Sequence, residues 1–317
     1  MKRSVLKKIK THRTEVVSGA GIGEDCAILS HPEGVEVVLS TTPVTAPLAD
    51  LSSYAIPMAL NNVAAAGAEP VGVLLTVLLP EETQEAELAQ LMERAEEICS
   101  LWQAEILGGH TEVIPVVREP VMTVTGVGLR DALQSDRLSG IGPGQDIVVS
   151  KWIGLEGTVR LARHYRKELS KRFPSRMIED AAHYDRYLSV IPEAATAVKS
   201  GVCGMHDVSR GGIFAALWEM ASGAGVGLNI DLKKLPVRQE TIEICEYFTL
   251  NPYELLSGGC LIMAAPEGEK LVRDLAGADI PAVVVGRTTG GNDRVLYNGE
   301  EKRYLDMPKT DQIYHKF

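Results

Sequence analysis

The sequence predicts an α/β protein of two domains. Three observations carry that prediction. Apolar runs of strand character at 35–41, 71–79 and 121–129 alternate with helical stretches. A Gly/Pro-rich segment at 138–145 interrupts the chain near its middle, so residues 1–140 and 141–317 are expected to fold as separate domains. A length of 317 residues is also more than one core usually holds.

Residues 4–17 are read as a short helix carrying Lys7, Lys8, Lys10 and Arg13, a basic block in an acidic chain. It is either a solvated face, as charge runs usually are, or a set of cations reaching over a phosphate. The stretch SGAGIGEDCAIL follows at 18–29. Gly19, Gly21 and Gly23 let the backbone approach a ligand closely, and Asp25 stands where the glycines meet a strand at 26–29. Glycines before a strand reverse the order of a dinucleotide fingerprint. A carboxylate at that junction suits a metal ion.

Residues 39–70 organise the first domain. They read as a strand end, a polar turn with Ser40, Thr41, Thr42 and Thr45, and a small-residue helix. Ser52 or Ser53 is expected to cap that helix, which runs to about Ala66 and stops at Gly67. Pro57 is placed near the end of its first turn. Short oxygen-bearing side chains on two facing rigid elements suit phosphate oxygens or a hard cation. The other reading is a Thr-rich turn before an ordinary core helix. Asn61 and Asn62 are successive and point about 100° apart, so one at most faces a site squarely. Residues 71–79 read as a strand covered on both faces, and 82–102 as an amphipathic helix with Leu88, Leu91, Met92, Ala95 and Ile98 on one side. A short strand at 105–107 leads into GGHTEV, a turn setting His110, Thr111 and Glu112 at a strand mouth. The strand 121–129 ends the domain.

In the second domain a strand at 146–150 enters the turn Gly154-Leu155-Glu156-Gly157-Thr158, and a helix follows at 159–169. The first amides of that helix either hold an anion or belong to a plain tight turn. A P-loop is excluded, because the Gly-Lys-Ser/Thr ending is absent. A helix at 187–199 stops at Gly201. MHDVSRGG at 205–212 then brings an acid, a hydroxyl, a guanidinium and two glycines before a helix at 213–222. Strands near 226–230, 260–264, 282–286 and 294–297 complete the domain.

Composition narrows the partners. A net charge of −10 argues against nucleic acid or an anionic membrane as the main partner. An aromatic content of 5% leaves little for base stacking. No apolar run is long enough to span a membrane, and residues 1–10 lack a signal-type apolar core. The five cysteines are widely spaced with no CxxC pair, which predicts reduced core thiols in a cytoplasmic protein.

Taken in order, GIGEDCAI, LSTTPVT, ALNNVAAAGAEP, LGGHTEV, GLEGT, HDVSRGGIFAALWEMA and VGLNIDLKKLPV resemble the motifs of the aminoimidazole-ribonucleotide (AIR) synthetase superfamily. Its members include the purine-pathway synthetase, thiamine-monophosphate kinase, selenophosphate synthetase and the hydrogenase-maturation carbamoyl dehydratase. The resemblance covers nearly the whole chain. It implies an α+β N-terminal domain whose sheet closes a barrel across a homodimer, and an α/β C-terminal domain against which ATP binds. It also implies Mg2+ and transfer of the γ-phosphate to a substrate oxygen, the substrate being unknown.

Carried over residue by residue, the resemblance implies Asp207, Arg210 and His110 as catalytic groups. Gly21, Gly23, Thr41, Thr42, Asn61, Asn62, Gly108, Gly109, Thr111, Gly211 and Gly212 would hold the nucleotide, and Asp25, Glu112 and Asp207 the metal. The chain departs from the family where acids are usual: Thr42 follows Ser40-Thr41, Asn61-Asn62 replaces Asn-Asp, and His110 follows Gly108-Gly109. Charge count sets much of the affinity for a hard cation, so a weakened magnesium site in a nucleotide-binding or regulatory homodimer is the second expectation. The C-terminal cysteine of the carbamoyl dehydratase is not matched in DQIYHKF, and Cys26 is expected to be buried rather than reactive.

Overall fold

The computed structural model describes residues 16–18, 26–30, 34–132 and 140–316. They gather into two units, Met1–Ser135 and Asp136–Phe317. Each is a mixed α/β body with one sheet.

In the first unit the strands are β1 (Val16–Ser18), β2 (Ala27–Ser30), β3 (Val35–Thr45), β4 (Glu69–Leu79), β5 (Glu105–Val113) and β6 (Val121–Asp131), in the order 1-2-3-6-4-5. Among the described residues of this sheet, only β4 and β5 run parallel. Two helices, α1 (Leu48–Ala65) and α2 (Glu85–Leu101), lie on one face. Period-two burial explains how they sit: Val38, Ser40, Thr42 and Val44 of β3, with Met122 and Val124 of β6, turn inward toward α1. Close approach requires glycine at one point, since a Cβ on Gly126 would lie 2.9 Å from the Ala59 carbonyl oxygen. A buried Arg130–Glu36 pair (2.6 Å) also donates to the Ala66 carbonyl (2.6 Å), fixing the end of α1 to the sheet. The opposite sheet face keeps Leu74, Leu107 and Leu129 exposed.

Several local expectations change. Residues 4–15 lie outside the described residues, and Val16 and Val17 belong to β1 rather than to a helix. Strand β3 continues through Thr41–Thr45, because β-branched residues sustain the alternation where a turn was read. Helix α1 begins at Leu48 behind Pro47, so Pro57 falls in its interior. Ser52 and Ser53 face α2 instead of capping: Ser52 donates to the Leu91 carbonyl (3.0 Å), and Ser53 accepts from Arg94 (3.3 Å). Helix α2 starts later than read, at a capping box in which Gln84 N–H donates to Glu87 (2.9 Å).

The second unit has seven strands in the order 13-12-9-11-7-10-8. They are β7 (Asp146–Ser150), β8 (Gly204–Val208), β9 (Gly227–Asp231), β10 (Cys260–Ala265), β11 (Ala282–Thr289), β12 (Arg294–Asn298) and β13 (Glu301–Tyr304). Its helices are α3 (Leu155–His164), α4 (Arg166–Leu169), α5 (Ser175–Ala182), α6 (Ile191–Ser200), α7 (Gly212–Ala224), α8 (Gln239–Phe248) and α9 (Gly268–Ala276). Helix α3 starts four residues earlier than read, and α6 later, behind a single turn at Tyr184–Tyr187. Strand β10, CLIMAA, is buried throughout and pairs with β7 and β8. Cys260, Ile262 and Ala264, alternate residues of the strand, join Ile213, Leu217 and Leu228 in one core. Among the described residues no helix is long and apolar enough to cross a membrane.

Candidate functional site

The stretch around residues 39–70 brings three polar side chains together. Asn62, one turn from the end of α1, donates its amide N–H to Ser40 Oγ (2.8 Å) and Thr42 Oγ1 (3.4 Å). Ser40 and Thr42 are two apart on β3 and so share its inward face. Asn61 is buried about 100° away around the helix, and the Asn62 amide reaches the strand. Cys26, buried, donates its thiol to the Asn62 carbonyl (3.2 Å). The result is a compact, neutral set of hydroxyl and amide groups.

Thr41 stands on the other face. Its hydroxyl pairs with Thr125 Oγ1 across the β3–β6 ladder (3.0 Å). His110 and Glu112 belong to that face too, since β5 pairs His110 with Thr76, and β6 pairs Thr76 with Thr123. The His110 imidazole and Glu112 carboxylate lie 3.8 Å apart, both well exposed. Thr111 alternates to the helix side with Val77. GGHTEV is therefore the body of an edge strand rather than a turn at a strand mouth. Two glycines make this possible: Gly108 and Gly109 have φ of 146° and 153°, and a Cβ on Gly109 would collide with the Leu75 carbonyl of β4. Gly21, Gly23 and Asp25 lie outside the described residues. Among the described residues, no three His, Cys, Asp or Glu side chains cluster to hold a metal ion.

In the second unit, MHDVSRGG is half strand. β8 carries His206 and Asp207 just before its last residue, Val208; both are buried, and His206 Nε2 lies 3.6 Å from Glu219 of α7. Arg210 is exposed at the turn. Gly211 and Gly212 take left-handed φ of 78° and 63° and start α7. The Gly211 N–H donates to Asp311 Oδ2 (2.6 Å), while Leu256 and Ile313 N–H donate to Asp311 Oδ1 (3.2 and 2.8 Å). The amide at this helix start is thus met by a carboxylate 100 residues away in sequence. The preceding turn is satisfied in the same way: Gly154 N–H donates to Ser257 Oγ (2.7 Å) and Gly157 N–H to the Leu256 carbonyl (2.8 Å). Of the two readings of Gly154–Thr158, the tight βα turn accounts for these contacts.

Two buried carboxylates flank the Arg210 turn. Burial pushes Glu156 above its ordinary range, opposed by the Arg160 guanidinium (2.6 Å) and by Arg210. Burial likewise raises Asp311, against the pull of its three backbone donors and of Arg210. Asp311, Glu156, Glu219 and Ser257 were absent from the sequence-based set: Glu156 and Glu219 lie within the quoted motifs but had no role that spacing could assign, and Asp311 and Ser257 meet the motifs only through long-range packing. Ser40 stood in the polar turn, and the alternation of β3 was the signal that separates it and Thr42 from Thr41.

The AIR synthase related protein N-terminal domain model matches residues 23–130, and the corresponding C-terminal domain model matches 142–298. A putative hydrogenase expression/formation protein of Methanocaldococcus jannaschii is 25% identical across 99% of this chain and 94% of its own length. The carbamoyl dehydratase HypE of Cupriavidus necator is 28% identical, covering 80% of this chain and 73% of its own. The solved structure of the hydrogenase maturation protein HypE in complex with ATP has a TM-score of 0.75 at 21% identity, covering 90% of this chain and 88% of that one. With models for both domains matching in sequence order, the chain belongs to the AIR synthase related family.

Proposed function

We propose that this chain binds ATP and transfers its γ-phosphoryl group to a substrate oxygen. An amide-type carbonyl is the first candidate acceptor, because a carbamoyl dehydratase is among its relatives. The observation that carries the reading is Asn62 reaching Ser40 and Thr42 across β3. This framework of short polar groups is held rigidly by a buried helix, inside a chain that matches the family over both domains. Phosphoryl transfer asks for positioning and charge neutralisation more than for covalent chemistry from the protein. On this proposal Thr42, Asn61 and Asn62 line the phosphate end together with Gly21, Gly23 and Asp25, and Gly109 and Thr111 share their sheet face. In the second unit Asp207 and Arg210 stay as proposed catalytic groups, and Gly211 and Gly212 as proposed nucleotide-binding positions. Thr41, Gly108, His110 and Glu112 belong to the open sheet face, where exposed Leu74 and Leu129 favour a second copy of the chain as cover.

Magnesium does not fit the described residues as a protein-built cage. Their donors at the Asn62 site are neutral, and Ser40 and Thr42 already accept from the Asn62 amide. That neutrality also supports the second reading, a nucleotide-binding regulatory homodimer without turnover. The deciding experiment measures ATP affinity by calorimetry with and without magnesium, and ADP release with amide, phosphate and carbamoyl acceptors. ATP binding with acceptor-dependent ADP release that falls in Asp207→Ala supports the enzyme. ATP binding without ADP release from any acceptor supports the regulatory reading, and absence of ATP binding overturns both. Thr42→Asp with Asn62→Asp is expected to make ATP binding more magnesium-dependent. Light scattering of the intact chain and of Leu74→Lys tests the dimer, the variant being expected as a monomer.

A further inference from the structure

A cavity of about 490 Å3 opens in the second unit between the β12–β13 hairpin and the turn that follows β9. Its volume falls in the range of small-molecule sites. Leu232 and Leu296 form an apolar floor, both buried against the domain core. Tyr253 provides an aromatic wall, stacked on Phe214 of α7 with centroids 5.1 Å apart and planes within 7°. Arg303 lies over the same Phe214 ring, 5.3 Å from its centroid, so guanidinium and phenol are held about one aromatic plate. Lys233 reaches the hairpin from the other side. A Cβ on Gly299 would stand 3.1 Å from its Nζ, and the left-handed turn there (φ 66°) leaves that room.

The charge of this cavity is out of keeping with the chain. In a protein of net charge −10, Lys233, Lys302 and Arg303 line one cavity, and none has a carboxylate partner among the described residues. Five lysines and arginines elsewhere in the unit, Lys151, Arg160, Arg163, Lys270 and Arg287, are paired with acids, whereas the three gathered here share one cavity without such a partner. One acid, Glu301, and one amide, Asn298, complete the wall. Cations left unpaired around an apolar, aromatic-walled cavity fit a small molecule with an anionic head and a flat body.

We propose that this cavity binds a small phosphate ester carrying a planar ring, its phosphate on Lys233 and Arg303 and its ring against Tyr253. Arginine grips phosphate oxygens with a two-pronged fork, and lysine supplies a point charge. The site is separate from the Asn62 framework, which lies in the other unit. It adjoins the Gly211–Gly212 turn through Phe214 and through the Tyr253 carbonyl, which lies 2.5 Å from where a Gly212 Cβ would stand.

The test is calorimetric titration of the full chain, free of nucleotide, using phenyl phosphate, inorganic phosphate, benzoate and benzyl alcohol as probes. Phenyl phosphate is expected to bind at least tenfold more tightly than any other probe. That affinity should fall at least tenfold in Lys233→Glu with Arg303→Gln, and should persist in Lys171→Glu, an exposed charge change outside the cavity. All of these side chains are exposed, and a thermal melt verifies that the variants are folded. Absence of phenyl phosphate binding, equal binding of benzoate, or binding unchanged in the double variant would each overturn the proposal.

Discussion

Replacing Asp311 tests whether the helix start at Gly211 is built to be filled from within the chain. The carboxylate is buried and accepts three backbone N–H groups, from Gly211, Leu256 and Ile313, at 2.6, 3.2 and 2.8 Å. Asp311→Ala leaves all three donors without it. A buried donor deprived of its acceptor costs roughly 1–3 kcal/mol. The space vacated by the carboxylate admits water to some of them, so the total is set at about 3 kcal/mol, the low end of that range per donor. For a unit of this size each kcal/mol moves the melting temperature by about 2–4 °C, giving a loss of roughly 6–12 °C. Asp311→Asn retains one oxygen but turns an NH2 toward one of the donors, and about half the loss is expected. The assay is thermal unfolding followed by circular dichroism and calorimetry at neutral pH. A melting temperature for Asp311→Ala within 2 °C of the unchanged chain would refute the reasoning, since the three donors would then have an equal partner elsewhere.

Further outcomes follow from other buried groups. Lys151 sits at a left-handed φ of 51° and gives its ammonium to the Tyr187 and Ser189 carbonyls and to Glu193 (2.8, 2.5 and 2.5 Å). Lys151→Met alone strands the buried Glu193 charge, at a cost of about 3–5 kcal/mol; Lys151→Met with Glu193→Met should recover most of that loss in a denaturant titration. Glu156 is held above its unfolded value of 4.5 by burial, so the folded state binds its proton more tightly. Its contribution is fully present below that value and is lost as pH rises through the folded one, so Glu156→Gln should flatten the fall in stability measured upward from about pH 4.5. The thiols of Cys99, Cys245 and Cys260 are pushed up to about 11, 12 and 12 by burial, so a chromogenic disulfide reagent at pH 8 should leave these three unmodified until denaturant is added. Mass spectrometry showing rapid labelling of any of the three in the folded chain would contradict that assignment.

The fold was legible because its strands advertise themselves. Val71 to Leu79 and Cys260 to Ala264 are apolar runs too short for helices and too continuous for loops, and both are strands. Ends were harder. Thr41 to Thr45 looked like a turn because it is polar, yet β-branched side chains sit as well on the rim of a sheet as in a loop. GGHTEV misled for the opposite reason. Paired glycines usually mark turns, whereas here they let an edge strand pass close to Leu75.

The candidate site was legible as a set of residues and illegible as a geometry. Thr41 and Thr42 are neighbours in sequence, and one-residue spacing on a strand sends them to opposite faces. The same parity separates Thr111 from His110 and Glu112. Within the first unit, the Asn62 cluster and the His110–Glu112 pair are therefore not one first layer of ligands. A ligand held by both must come to the sheet from two sides, or one of the two groups serves the open face and whatever covers it. Single substitutions separate these cases. If His110→Ala lowers ATP affinity in a chain kept dimeric while Thr42→Val does the same, both faces serve the nucleotide. If His110→Ala instead weakens only the dimer, the polar end of the open face is an interface, and the phosphate end rests on the face that carries Ser40, Thr42 and Asn62.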